Sequence, residues 1–278
     1  MPRSEEGPLA PERAAFLRGV AEGAVRAGGR VIAAAARPEV VDEKAAGDYV
    51  TEVDRASEDA IRAFLARATP DVPMLGEETG GSTDAPVYWA VDPLDGTRNF
   101  VLGFPVVGVS AGAIARSDGA APRPVAGAVS APFLGMELSA AEGLGTRRRD
   151  SSPARVSGRP VHEAVVATGF PFRNKDLLPR HLAALTAALH GTQDVRRAGA
   201  ASLDLAWVAA GVFDGYFELG LSVWDVAAGA LLVREAGGVV TDWDGGDGYL
   251  SGDIIAGSPA THAALLRIAR APGEGRVT

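Results

Sequence analysis

Ala-rich helical segments alternate with β-prone ones along most of this chain, and that alternation points to a layered α/β fold. Two further observations support it. The 278 residues, 47% hydrophobic and 22% charged, are enough for a substantial core in one large domain or two closely packed ones. The run Val87-Tyr88-Trp89-Ala90-Val91 is apolar and β-prone, which suits a strand covered on both faces.

Taken in order, Met1 to Leu9 read as a loose polar arm. A long helix is expected from Pro11, because Phe16, Leu17, Val20, Ala24, Ala27, Val31 and Ile32 fall near helical spacing. Gly19, Gly23, Gly28 and Gly29 weaken it, so packing rather than propensity must hold it. Tyr49 to Val53 alternates like a short strand. A helix then runs from about Asp54, with Ile61, Phe64 and Leu65 on one face; Asp54 suits its N-cap and equally a place in a site. Pro73 to Glu78 reads as a strand entering an acidic turn, and Thr79 to Pro86 as a mobile loop. Adjacent Glu77 and Glu78 have the composition of a solvated pair.

The central strand is expected to stop at Pro93, which cannot donate to a ladder. Val106–Ala115, Pro124–Ser130 and Gly135–Ala140 read as antiparallel strands of one sheet, and Arg147-Arg148-Arg149 as a solvated loop. A boundary between an N-terminal half (1–150) and a C-terminal half (151–278) is expected near Asp150 to Pro160. The second half opens with a strand at Val165 and an amphipathic helix over Leu177 to His190. A Gly- and Ala-rich approach then leads to a helix through Leu203 and Val208, and a β-like stretch, Val212 to Leu219, carries Glu218. Another helix starts near Asp225 and is stopped by Gly237-Gly238; two short strands and a final helix close the chain.

Charge and composition restrict function. The formal net charge of -8 disfavours sequence-independent nucleic-acid binding, which depends on Lys and Arg neutralising phosphates. With Cys 0 there is no thiolate chemistry, so any metal must be held by oxygen or imidazole. No signal-type apolar region and no membrane-length apolar run is seen, so a cytoplasmic protein with no membrane association is expected. The four histidines are scattered and receive no role.

The acids carry the chemistry. Asp92-Pro93-Leu94-Asp95-Gly96-Thr97 places two carboxylates three residues apart on a stiff turn, followed by a hydroxyl and backbone N–H groups that suit a phosphate oxygen. In isolation an Asp-Gly pair also reads as an ordinary turn, and Asp225 as an acid favoured in the first turn of a helix. Glu77, Asp92, Asp95 and Asp225 all stand at strand ends or helix starts, the places that face the ligand crevice in α/β folds. Gathered alone they would repel; gathered around hard divalent cations they are balanced.

These motifs together resemble the inositol monophosphatase family. WAVDPLDGTRNF is similar to its Asp-Pro-Ile/Leu-Asp-Gly-Thr signature and WDVAAGALLVREAGG to its second signature, while GDYVTEVD and LGEE match two further acidic stretches in the family's order. The resemblance runs from about Lys44 to the C-terminus. It implies an αβαβα sandwich, of the type shared with fructose-1,6-bisphosphatases, and a Mg²⁺-dependent, lithium-sensitive phosphatase using two or three ions. Glu77, Asp92 and the Leu94 carbonyl would hold the ion that activates water. Asp92, Asp95 and Asp225 would hold the ion facing the leaving group. Thr97, bonded to Asp54, would orient or deprotonate the water, and backbone N–H groups of Gly96 and Thr97 would hold the phosphate. Glu218 matches a position that contacts sugar hydroxyls, and Ala201 one that lines the pocket.

The implied substrate is a small phosphate monoester, inositol 1-phosphate foremost. Histidinol phosphate, fructose 1,6-bisphosphate or a phosphorylated nucleotide are the alternatives within the superfamily, and a regulatory binding protein is the alternative of another class. A homodimer is expected by the same analogy. Two departures stand out: Arg98 where many members carry a small or neutral residue, and a Lys44–Asp48 spacing that differs by one from the common pattern.

Overall fold

A computed structural model describes residues 9–36, 42–45, 48–117 and 119–270. Most of the expected N-terminal arm lies outside these residues, as do the side chains of Lys44 and Asp48.

The first helix, α1 (Pro11–Ala34), begins with Pro at its first turn and no side-chain cap. Its glycines explain themselves through α2 (Glu52–Ala68). A Cβ on Gly23 would stand 2.1 Å from the Phe64 ring, and one on Gly28 2.6 Å from Ser57 Oγ and 2.7 Å from Ile61. The glycines therefore let two helices approach closely. Between them lies a hairpin, β1 (Asp42–Ala45) with β2 (Asp48–Val50). The strand expected over Tyr49–Val53 thus ends at Val50, and the chain turns into the helix earlier than Asp54. Thr51 is the N-cap: its hydroxyl accepts from Val53 N (3.1 Å), while Asp54, three residues on, accepts from Thr51 N (2.9 Å). This reciprocal capping box takes the capping role away from Asp54.

Six strands form the first sheet, in the order β3 (Met74–Gly76), β4 (Val87–Asp95), β5 (Gly108–Ala115), β6 (Arg123–Ala131), β7 (Met136–Ala141), β8 (Thr146–Arg148). Only the β3–β4 pair is parallel. Two expectations are corrected. β4 continues through Pro93 to Asp95, because its register with β5 shifts between Asp92 and Asp95, and Pro93 occupies that irregularity without having to donate. Arg147 belongs to β8 rather than to a solvated loop; its guanidinium lies 2.7 Å from Glu22 of α1.

After Asp150–Pro160 the chain enters a second, five-stranded sheet in the order β10 (Asp194–Arg196), β9 (Val165–Thr168), β11 (Gly215–Glu218), β13 (Ile254–Gly257), β12 (Val239–Thr241). Both β10 and β11 lie parallel to β9, whereas β13 is antiparallel to β11 and to β12. A short helix, α3 (Thr97–Leu102), follows β4 directly.

Three helix layers enclose the two sheets. On the outer face of the first, α1 and α2 bury Leu17, Ile32 and Ile61 against Trp89, Val91 and Val109. Between the sheets lie α5 (Ala201–Ala209) and α6 (Val223–Glu235). Their Leu203, Leu205, Val226 and Leu232 share one core with Val129 and Leu138 of the first sheet and with Tyr216 and Ile254 of the second. On the far face, α4 (Leu178–Gly191) and α7 (Pro259–Arg270) bury Ala184, Ala188 and Leu265 against Val166, Phe217 and Ile255. The order is α, β, α, β, α, the five-layer sandwich that the motifs imply.

Candidate active site

A cleft opens where β4, β11 and the first turns of α5 and α6 meet. It is lined by Glu77, Asp92, Leu94, Asp95, Gly96, Thr97, Ala201, Glu218 and Asp225, together with Arg98, Arg173, Arg197 and Asp204. All the cleft residues singled out from the sequence therefore stand together, although they come from positions 77 to 225. Asp54 sits one step behind them, joined through Thr97.

The end of β4 supplies the floor. Asp92 is buried, and its Oδ1 accepts from Leu94 N (3.0 Å). Asp95 is clasped by the start of α5: Ser202 N (2.7 Å) and Ser202 Oγ (2.6 Å) both donate to Asp95 Oδ2. Gly96 adopts φ 89°, and a Cβ there would lie 2.9 Å from the Val106 carbonyl oxygen, so the turn requires glycine. Thr97 Oγ1 lies 2.9 Å from Asp54 Oδ1 and 3.3 Å from the Leu94 carbonyl, with one proton for the two acceptors. Thr51 donates twice to the other oxygen of Asp54, from its N and its Oγ1. Asp54 is therefore fixed as an acceptor aimed at Thr97. Burial raises its pKa, and the hydrogen bonds from Thr51 and Thr97 work against that rise.

Other acids arrive from three further elements. Glu77 follows β3. Asp225 is the third residue of α6 and reaches back to its N-cap, accepting from Ser222 N at 2.7 Å. Glu218 ends β11 and accepts from the Tyr216 hydroxyl. Burial is the leading cause that lifts Asp92 well above the usual carboxylate range, followed by the charges of Glu77, Asp95 and Asp225. Burial, then Asp95, lifts Asp225 to about 6; burial also lifts Glu218 to about 7.

The donor set fits a hard divalent cation. Glu77, Asp92, Asp95 and Asp225, four of the six carboxylates that line the cleft, stand there with no thiol and no imidazole, and their mutual repulsion is the kind that a cation relieves. Each of them also has a protein partner: Glu77 pairs with Arg173, Asp92 with Leu94 N, Asp95 with Ser202, and Asp225 with Ser222 N. Among the described residues no three acidic side chains are drawn together tightly enough to enclose an ion.

Several contributors were not singled out from sequence. Glu58, fully buried on α2, accepts from Glu78 N (2.8 Å) and Thr79 N (3.1 Å) and so sets the turn that carries Glu77. A usable signal exists: Glu58 is four residues after Asp54, one turn along the same helix face. Asn99 ties α3 to the approach of α5 by donating to the Val106 and Ala198 carbonyls (2.8 and 3.0 Å). Ser202 had no signal of its own beyond its place at a helix start.

A five-layer sandwich with acids converging at strand and helix ends defines a phosphatase fold. The family model for inositol monophosphatases matches residues 14–273, and the chain belongs to that family. The Nus factor SuhB of Pseudomonas aeruginosa is 46% identical over 234 residues, covering 81% of this chain and 84% of that protein. Among solved structures, the extragenic suppressor protein suhB of Bartonella henselae superposes with a TM-score of 0.83 at 36% identity, over 92% of this chain and 99% of that one. The inositol monophosphatase of Anabaena (Nostoc) gives 0.80 at 34% identity, over 92% and 96% respectively.

Proposed function

We propose that this chain hydrolyses a small phosphate monoester with Mg²⁺, and that inositol 1-phosphate is its leading substrate. The observation that carries this reading is the convergence of Glu77, Asp92, Asp95 and Asp225 on one cleft beside the Asp54–Thr97 pair. The Anabaena relative, named as an inositol monophosphatase, supports the choice of substrate.

Glu77, Asp92 and the Leu94 carbonyl would hold one ion, and Asp92, Asp95 and Asp225 another. When bound, the ions supply Lewis-acid activation of water and charge neutralisation at the departing oxygen. The chain's own residues do the rest. Because Thr97 donates its hydrogen bond to Asp54, a lone pair of its hydroxyl can accept a proton from the attacking water while its own proton passes to Asp54, which ends as a neutral carboxylic acid. The backbone N–H groups at Gly96 and Thr97 hold phosphoryl oxygens. Glu218 accepts hydrogen bonds from hydroxyl groups of the alcohol, with Tyr216 fixing its position. Ala201 leaves room for the ring.

A steady-state panel with Mg²⁺ tests the choice. We expect kcat/KM to be highest for inositol 1-phosphate among inositol 1-phosphate, histidinol phosphate, fructose 1,6-bisphosphate and nucleotide monophosphates. A preference of about tenfold or more for histidinol phosphate would reverse the assignment, since that is over one kcal/mol of transition-state discrimination. A second reading, in which the fold also serves as a protein factor, rests on the name carried by the Pseudomonas relative.

A further inference from the structure

The hydrolytic reading leaves Arg173 without a role, yet its place is specific. It lies in the turn after β9, beyond Gly169-Phe170-Pro171-Phe172, and its guanidinium reaches back to line the cleft. Arg173 Nη2 stands 3.5 Å from Glu77 Oε1. The same charge faces two more acids, because Asp95 and Asp225 line the cleft beside Arg173. One cationic side chain of the protein thus addresses three of the four carboxylates assigned above to metal.

A guanidinium and a divalent ion cannot neutralise one carboxylate from the same side. We propose that Arg173 is a built-in competitor for the metal centre, pairing with Glu77 until a divalent cation displaces it. The inference rests on the functional reading that makes Glu77 a metal ligand. It gives the 169–173 turn a second task. When no cation is bound, Arg173 offsets part of the repulsion among buried acids; when one binds, the turn must release Glu77.

The local structure permits that release. Arg173 is 44% exposed, so its pair with Glu77 is a weak one by the standard of screened ion pairs. The turn is outside both sheets, and its backbone bonds, Phe172 N to the Phe170 carbonyl at 2.7 Å and Asn174 N to the Pro171 carbonyl at 3.1 Å, leave the Arg173 side chain untouched. Its anchor is elsewhere: Phe170 and Phe172 pack on the Arg197 guanidinium, 5.9 and 5.5 Å from their ring centroids. Arg173 can therefore swing while the two rings stay in place.

Calorimetric titration of Mg²⁺ into the full chain tests this, using wild type, Arg173→Gln and Arg173→Lys. Arg173→Gln should bind Mg²⁺ about five- to tenfold more tightly, because one opposing charge is gone. Arg173→Lys, which keeps the charge, should stay within about twofold of wild type. Without metal, Arg173→Gln should melt below wild type, and saturating Mg²⁺ should close that gap; a merely structural contact would leave the gap open at saturation. An unchanged or weakened Mg²⁺ Kd in Arg173→Gln overturns the competition. A wild type that binds no Mg²⁺ at all overturns the functional reading instead, which keeps the two failures apart.

Discussion

His181 shows what a single buried side chain costs this protein. It is fully buried on α4 between the Phe170, Phe217 and Trp243 rings, and its Nδ1 has no hydrogen-bond partner. Burial holds its pKa down to about 4. The fold therefore favours the neutral ring, and the unfolded chain takes up the proton first as pH falls. The stability that this burial permits is intact above pH 6.5 and is lost progressively between 6.5 and about 4. Between pH 7 and 5 the loss should be about 2 kcal/mol from this one group. Urea unfolding at the two pH values should show it, and His181→Phe should flatten the difference. An equally steep loss in that variant would place the acid sensitivity elsewhere.

At the scale of elements, α1 and α2 give a paired prediction. A Cβ on Gly28 would press on Ser57 and Ile61, whereas one on the exposed Gly19 would meet nothing within 4 Å. Gly28→Ala should destabilise by about 1–3 kcal/mol through overpacking. Gly19→Ala should instead stabilise by about 0.5–1 kcal/mol, through helix propensity and a less flexible unfolded chain. Thermal melts of the two variants must move in opposite directions. Existence and order of these elements are legible in the sequence, because Leu17 and Val20 in α1, and Ile61, Phe64 and Leu65 in α2, fall at helical spacing and β5 to β7 are separated by clear turn signals. The end of β4 is not. Pro93 argues against a strand unless a bulge absorbs it, and the bulge depends on β5, which no local pattern reveals. The start of α2 is hidden for a related reason: Thr51 and Asp54 both suit a cap, and only the reciprocal bonds tell which of them holds that place. Nor does α6 disclose a facing side, since every residue from Asp225 to Val233 is buried between two sheets.

At the scale of the whole molecule, the acids of the cleft are legible because their motifs are local: Asp92 with Asp95, Glu77 after a strand, Asp225 at a helix start. Their neighbours are not. Ser202 and Arg173 matter only through contacts with residues 107 and 96 positions away, whereas Glu58 at least shares a helix face with Asp54. The layered architecture also separates chemistry from surface. Asp95→Asn should lower hydrolysis at least about 10³-fold by removing a charge that the reaction requires. It should leave the fold in place, because an amide oxygen still accepts from Ser202 and one of four crowded charges is gone. Turnover and circular dichroism on the same sample check this. If the chain also acts as a protein factor, that variant should retain the second role in cells.

The cleft draws Asp92 and Asp95 from the first sheet, Glu218 from the second, and Asp225 from the helix layer lodged between them. Neither sheet owns a complete reaction centre. On the proposed function, competence thus belongs to the finished assembly: both slabs must close on their common filling first, and a half-built chain should be inert toward phosphate esters.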